Sequence, residues 1–161
     1  MRARHVAVIA PPTAGHLNPL QAVGGALAAL GHRVTIVHVA GVERLVDDPA
    51  VGFAALGGPR DGRGILDAFL DTLARPTGVI GLNRMVAATA ALTDLLLDTL
   101  PAALRSIGAD AVIADSAEPA GGLVARHLGI PYVTSITGLP LMREPQVPPP
   151  YLGWRYRGGR L

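Results

Sequence analysis

Residues 5–38 read HVAVIAPPTAGHLNPLQAVGGALAALGHRVTIVH, and this stretch decides the fold of the chain. Val6–Ala10 is a short, β-branched, apolar run, which two prolines end. Leu17–Leu30 is rich in alanine and leucine and predicts a helix, and Arg33–Val39 is a second apolar run. Strand, loop, helix and strand in this order form the βαβ unit of a parallel sheet. The loop at 13–16 is therefore expected at the carboxyl end of the first strand, where open α/β sheets bind their ligands.

The rest of the chain continues the alternation of strands and helices. The pattern predicts a turn at 41–48, strands at Val51–Leu56, Ala111–Ala114 and Tyr132–Ile136, and helices at Ile65–Ala74, Val79–Leu100 and Pro119–Leu128. Pro101 either kinks the long helix or starts a short one that runs to Ile107. Glycines make 57–64 a flexible loop, and prolines make 137–156 an extended one. We predict one Rossmann-like α/β domain over 1–161, with a parallel sheet and helices on both of its faces.

The composition narrows the class of protein. Half of the 161 residues are apolar and 16% are charged, which suits one well-buried domain. The basic residues are scattered apart from one cluster at the end, so no nucleic-acid footprint is present. That cluster (Arg155, Arg157 and Arg160) is interpreted as a solvated terminus, with contact to a lipid surface or a phosphate as the alternative. Prolines break the first apolar run far short of a membrane span, so we expect a cytoplasmic protein.

Signals for metal and nucleotide sites are missing from the sequence. Without cysteine there is no thiolate metal site, and the histidines other than His16 show no metal-ligand spacing. We interpret them as structural or exposed; they are His5, His32, His38 and His127. The first loop, APPTAGHLNP, lacks the GxGxxG pattern, and no P-loop motif occurs. Gly24 and Gly25 lie inside the predicted helix, where they favour close packing of the helix on the sheet.

His16 is the first candidate for chemistry, because it lies between the first strand and the start of the helix. Asn18 and Pro19 fit the N-cap and the first helical position. The positive end of a helix disfavours a second positive charge nearby, so this imidazole would act as a proton acceptor. The alternative is a loop histidine that hydrogen-bonds the backbone.

Asp115 is the second candidate, since it directly follows the fourth strand. In the common doubly wound order this strand lies beside the first, which brings Asp115 and His16 to the same sheet edge. A carboxylate within reach of the imidazole would fix its tautomer and stabilise the imidazolium. The alternative is an aspartate that bonds nearby helix N–H groups. Ser116 lacks the nucleophile-elbow pattern, so we interpret the pair as a general base and its orienting carboxylate, acting on a substrate hydroxyl.

Two blocks of the chain resemble a known family. PPTAGHLNPLQAVGGALAALGHRVTIV, residues 11–37, is similar to the opening of the GT-B fold UDP-glycosyltransferases. Residues 93–156 are similar to the members of that family that glycosylate carotenoids, and the segments EPAGGLVA, GIPYV and REPxxPPP carry this match. The two blocks cover most of the chain, whereas residues 41–93 match weakly.

The resemblance implies two Rossmann-like domains that face a cleft, of which the first binds a hydroxylated acceptor and the second a UDP-sugar. His16 falls on the general-base position of the family, and Asp115 falls on the acidic residue that orients this base. Thr13 and Gly15 match the loop that faces the diphosphate of the donor. The family further implies contacts with the acceptor, which we place at Glu118, Thr137 and Leu139.

The implied reaction moves a hexose from a UDP-sugar to a hydroxyl group of a lipophilic small molecule, such as the hydroxycarotenoid zeaxanthin, with inversion. A macrolide or a polyphenol is the alternative acceptor within the family. The UDP-sugar is a co-substrate, so we expect no cofactor and no metal. A lipophilic acceptor would also suit peripheral contact with a membrane.

The donor domain of the family does not follow, because the sequence stops at Leu161. We therefore expect an incomplete, N-terminal acceptor-binding domain that lacks the domain gripping the UDP-sugar. Little or no sugar transfer is expected from this chain by itself. The alternatives are a non-catalytic module that binds the acceptor and an inert truncated product.

Overall fold

The structure, a computed structural model, describes residues 2–56, 62–75 and 78–138. Strands and α-helices alternate along these residues, with a short 3₁₀ helix at Val42–Leu45. The strands are β1 (His5–Ile9), β2 (Arg33–His38), β3 (Val51–Ala55), β4 (Ala111–Asp115) and β5 (Tyr132–Ser135). The helices are α1 (Ala14–Ala29), α2 (Arg63–Ala74), α3 (Gly78–Ile107) and α4 (Pro119–Leu128). Each strand ends within one residue of its predicted bounds. The loops predicted at 57–64 and 137–156 lie mostly outside the described residues.

The five strands form one parallel sheet in the order β3-β2-β1-β4-β5. Their aliphatic side chains supply the middle of the core, and β1 is buried along its whole length. β2 and β3 lie on one side of β1, and β4 and β5 lie on the other. β1 and β4 are therefore neighbours at the topological switch point. The carboxyl ends of these two strands therefore lie side by side at one edge of the sheet, as predicted.

Helices cover both faces of the sheet, which confirms the predicted α/β class. A Cβ placed on Gly24 of α1 would lie 3.1 Å from the side chain of Val34, and one on Gly121 of α4 would lie 2.8 Å from that of Ile9. Val34 pairs with Val6, and Ile9 lies three residues beyond Val6 on the same strand. Side chains alternate between faces along a strand, so α1 and α4 pack on opposite sides. The close packing predicted for Gly24 is confirmed.

The prediction for the start of α1 was wrong. The helix begins at Ala14 rather than Leu17, with Thr13 in extended conformation as its N-cap and Pro19 inside the helix. A proline at this position costs one hydrogen bond, to the carbonyl of Gly15, which lies in the exposed first turn where water can replace the lost donor. His16 therefore belongs to the first turn of the helix.

Of the two alternatives predicted at Pro101, the structure has the one in which the long helix continues through the proline. Gly78–Ile107 is a single helix that passes through Pro101, so the alternative of a separate short helix is wrong. Its second half is held in place by leucines that are buried in the core, which outweigh the loss of one backbone hydrogen bond at the proline. These leucines are Leu92, Leu96, Leu100 and Leu104.

Among the described residues, α3 is also the one helix with the length and composition to cross a membrane, with a mean hydropathy of 1.3. The first half of the helix exposes apolar side chains, namely Val79, Ile80, Leu82 and Val86. Helices in the cores of globular proteins share this length and composition.

The contact between α4 and the sheet gives a first prediction. Gly121→Val is expected to lower the free energy of unfolding by about 1–3 kcal/mol, because the new side chain would overlap Ile9 and the Cβ of Ala114, which are fixed to strands. Urea unfolding followed by circular dichroism measures the change.

Gly64→Ala is the matched control for this variant. Gly64 also lies in the first turn of a helix, and a Cβ there meets no described residue within 4 Å. This variant should leave stability unchanged or raise it by up to about 1 kcal/mol through helix propensity. Equal losses in both variants would contradict the packing argument.

Candidate active site

The candidate site lies at the carboxyl edge of the sheet, between β1 and β4. The chain leaves β1 through two prolines and enters α1, whose first turn carries His16. Asp115 is the last residue of β4 and is 1% exposed. β1 and β4 are neighbouring parallel strands. Asp115, at the end of β4, therefore lies close to the start of α1, which follows β1. The structure thus brings together two residues that lie 99 positions apart in the sequence.

His16 and Asp115 form a hydrogen bond of 3.1 Å between Nδ1 and Oδ2. A carboxylate can only accept, so Nδ1 of the imidazole carries the proton and donates it. Nε2 of the neutral ring is then left with its lone pair. The side chain of His16 is 28% exposed, which allows a bound molecule to reach the ring. This is the arrangement of a general base with an orienting carboxylate.

The other carboxylate oxygen of Asp115 also accepts a hydrogen bond, which helps to fix the position of the carboxylate. Oδ1 accepts the backbone N–H of Ala117 at 2.9 Å, in the turn that leads into α4. The alternative left open by the sequence, a bond to a backbone donor near the helix, thus coexists with the contact to His16. One oxygen satisfies a backbone donor near the helix, and the other holds His16.

Thr137 completes the contacts of the pair. Its hydroxyl donates to Oδ2 of Asp115 at 2.7 Å and lies 2.7 Å from Nδ1 of His16. The sequence predicted Thr137 as an acceptor contact and missed its contact with His16 and Asp115. A signal was available, because Asp115 pairs with Ser135 across β4 and β5, and Thr137 follows that strand end by two residues. The predicted contact of Thr137 with an acceptor stays a prediction.

Thr13 and Gly15 lie beside His16 at the start of α1. The carbonyl of Thr13 accepts the backbone N–H groups of His16 and Leu17, but its side chain makes no capping hydrogen bond. Gly15 is exposed, and no atom of the residues that the structure describes lies within 4 Å of a Cβ placed on it. The helix start has the partial positive charge that suits an anion. The role of these two residues towards a diphosphate stays a prediction.

Glu118, predicted as an acceptor contact, is 2% exposed and serves as the N-cap of α4. Its Oε1 accepts the backbone N–H of Ala120 and the hydroxyl of Thr93, both at 3.1 Å. Burial raises the pKa of the Glu118 carboxyl, and the charge of nearby Asp115 acts in the same direction. Glu118 thus has a structural role, while its contact with an acceptor stays a prediction. Leu139 lies outside the described residues.

An apolar cavity of about 260 Å³ opens beside the first turn of α1. It is bounded by the first loop, the 3₁₀ helix and α2, and its lining residues are Pro12, Thr13, Ala14, Gly41, Val42, Arg44, Leu45, Leu66 and Leu70. His16 is not among them, but two of its near neighbours in the chain are. An apolar molecule in this cavity would lie against the same turn that carries the imidazole.

The remaining histidines of the described chain are structural or exposed, as predicted for them. His5 is buried, and its Nε2 lies 2.8 Å from the hydroxyl of Thr35. His38 is fully buried, and its Nδ1 accepts the backbone N–H of Val39. Burial lowers the pKa of His38 to about 4. Its Nε2 has no hydrogen-bond partner among the described residues. In the same part of the chain, no group of three His, Asp or Glu side chains could hold a metal ion.

Solved structures of glycosyltransferases share this fold. SnogD from Streptomyces nogalater has a TM-score of 0.63 at 22% identity, over 85% of this chain and 36% of that one. CalG4, the calicheamicin glycosyltransferase, has a TM-score of 0.61 at 21% identity, over 83% of this chain and 32% of that one. At these identities the likeness concerns the fold. The described sheet and helices have the Rossmann-like fold that these glycosyltransferases share with the chain.

The sequence of the chain is similar to those of two curated glucosyltransferases. The chain is 38% identical to zeaxanthin glucosyltransferase of Pantoea ananas and 36% identical to that of Pseudescherichia vulneris, each over 152 residues. Each match covers 94% of this chain but 35% of the relative, so the chain spans about a third of the length of these enzymes. No family model matches the chain. The resemblance inferred from the sequence is confirmed: the chain is similar to GT-B glycosyltransferases and, among them, to zeaxanthin glucosyltransferases.

Proposed function

We propose that the chain supplies the acceptor-binding part and the general base of an inverting glycosyltransferase. The enzyme would move a hexose from a UDP-sugar to a hydroxyl group of a lipophilic acceptor, of which a hydroxycarotenoid such as zeaxanthin is the leading case. The observation that carries the proposal is the hydrogen-bonded pair of His16 and Asp115 at the sheet edge. The similarity to zeaxanthin glucosyltransferases over 94% of the chain supports it.

The chemistry proposed for the pair is proton removal from the acceptor. Nε2 of His16 takes the hydroxyl proton as the oxygen attacks the anomeric carbon of the sugar. UDP leaves from the opposite face, so the configuration inverts. Asp115 holds the ring through Nδ1 and stabilises the imidazolium that forms. Thr13 and Gly15 are proposed to face the diphosphate, because the helix start carries a partial positive charge.

The apolar cavity beside α1 supports a lipophilic acceptor. Apolar side chains dominate its lining, and Thr13 and Ala14 connect it to the turn that carries His16. We also propose that the enzyme acts in the cytoplasm and contacts a membrane peripherally, where such an acceptor would be dissolved. The exposed apolar side chains in the first half of α3 are consistent with this contact.

The proposal is tested with and without the part of the relatives that this chain does not cover. Since this chain covers 35% of them, we compare the chain alone with the chain joined to the remaining part of the Pantoea ananas enzyme. Both proteins are incubated with labelled UDP-glucose and zeaxanthin. The joined protein is expected to transfer glucose, and the chain alone to transfer little or none.

Three outcomes would each contradict a part of the proposal. Robust transfer by the chain alone would show that it needs no donor part. Absence of transfer by a folded joined protein to zeaxanthin, a macrolide and a polyphenol would support the alternative, a non-catalytic or inert acceptor module. Transfer to a macrolide or a polyphenol but not to zeaxanthin would keep the reaction and change the acceptor class.

A further inference from the structure

The position of Thr137 is set by the sheet. β5 pairs with β4 so that Ser135 lies opposite Asp115, and the chain then turns across the carboxyl edge. This path places the hydroxyl of Thr137 at 2.7 Å from Nδ1 of His16 and at 2.7 Å from Oδ2 of Asp115. The same Nδ1 and Oδ2 atoms are 3.1 Å apart. The three polar atoms therefore form a closed triangle in which the threonine makes the two shorter contacts.

The hydrogens in this triangle can be assigned by counting donors. The hydroxyl of Thr137 has one hydrogen and donates it to Oδ2 of Asp115, which accepts only. The hydroxyl oxygen can then meet Nδ1 of His16 only as an acceptor. The N–H at Nδ1 is thus shared between Thr137 and Asp115. A ring protonated at Nδ1 and neutral overall has its lone pair on Nε2.

We propose that Thr137 is a positioning residue, which holds His16 in the Nδ1–H tautomer and fixes the orientation of its ring. Without the hydroxyl, the ring keeps, among the described residues, one hydrogen bond of 3.1 Å, to Oδ2 of Asp115, which has itself lost the hydrogen bond from Thr137. That single contact defines the ring plane less well than two contacts in different directions. The consequence for catalysis rests on the proposed function, whereas the tautomer is a property of this chain alone.

The first experiment therefore uses the chain without substrates. Long-range ¹H–¹⁵N spectra of the labelled protein report which imidazole nitrogen carries the proton, at a pH where the ring of His16 is neutral. Wild type should show the Nδ1–H tautomer. Thr137→Val removes the hydroxyl at nearly constant shape, so the ring should be able to turn away from Asp115. Because a ring that has left the carboxylate can adopt either tautomer, the spectra should show a mixture, while Thr137→Ser should restore the wild-type spectrum.

Thr134→Val is the matched control. Thr134 lies on β5 and is exposed, so the same change there should leave the tautomer of His16 unaltered. Amide spectra establish that all variants fold. A folded Thr137→Val protein whose His16 remains entirely in the Nδ1–H tautomer would overturn the proposal, because Asp115 would then suffice.

A kinetic experiment separates positioning from contact with the acceptor. In the joined transferase, Thr137→Val should lower kcat about tenfold, the effect of one ordinary hydrogen bond, with the KM for the acceptor unchanged. A rise in KM with kcat unchanged would overturn positioning in favour of an acceptor contact. If the tautomer depends on Thr137 but the folded joined protein transfers no sugar, the proposed function fails and the positioning role stands.

Discussion

His16→Ala in the joined transferase is expected to lower kcat by about 10²- to 10⁴-fold, the usual contribution of a general base. The structure places the ring at the sheet edge beside the buried carboxylate of Asp115 and leaves it partly exposed. Removing the ring takes away the proton acceptor but leaves the apolar cavity beside α1 intact. The KM for the acceptor should therefore change by no more than a few-fold.

His127→Ala is the control for the loss of a histidine. His127 is exposed in the last turn of α4, whereas the site lies near the start of that helix. This variant should retain wild-type kcat. A His16→Ala enzyme that kept its activity within a few-fold would show that another group, or water, removes the proton.

Asp115→Asn probes the same step from the other side of the ring. An amide can turn its NH₂ towards Nδ1 of His16, which favours the tautomer with the proton on Nε2 and removes the lone pair needed by the base. The kcat of this variant should fall in the same range as that of His16→Ala. Because the two residues act as one unit, the double variant should cost little more than the worse single one.

The architecture could be predicted because it follows from local pattern and general topology. Each apolar run bounded by glycine or proline became a strand, and the switch of strand order placed Asp115 next to the turn of His16. The prediction that was wrong and the alternative left open along the helices both concern prolines. Pro19 and Pro101 are both tolerated inside helices, because packing of the buried faces outweighs one lost hydrogen bond.

The contacts of single side chains were less accessible to sequence reasoning. Thr137 meets His16 across 121 residues, and only the register of β5 against β4 makes this contact possible. Glu118 was predicted as an acceptor contact, but its roles in capping α4 and in accepting the hydroxyl of Thr93 were not predicted. In both cases the sequence placed the residue at the correct edge of the sheet, the carboxyl edge. Which atoms it contacts depends on rotamers that no local pattern specifies.

His38 provides a prediction on stability. The unfolded chain exposes this imidazole, with an ordinary pKa of about 6.5, whereas burial lowers the pKa in the folded protein to about 4. Between these two values the unfolded chain binds a proton that the folded protein does not. As far as His38 contributes, the free energy of unfolding should therefore be highest above about pH 6.5 and fall as the pH is lowered towards 4. The loss from this group is of the order of 3 kcal/mol.

His38→Asn tests this assignment by urea unfolding at a series of pH values between 4 and 7. The asparagine oxygen can occupy the place of Nδ1 and keep the acceptor for the N–H of Val39, but it does not titrate. The raised pKa of Glu118 acts in the opposite direction above about pH 4.5, so the comparison uses the difference between variant and wild type at each pH. A cavity left by the smaller side chain would shift that difference by a constant. Only the titration of His38 makes it depend on pH, and a difference that stayed constant from pH 7 to pH 4 would show that the buried ring is not the group that titrates.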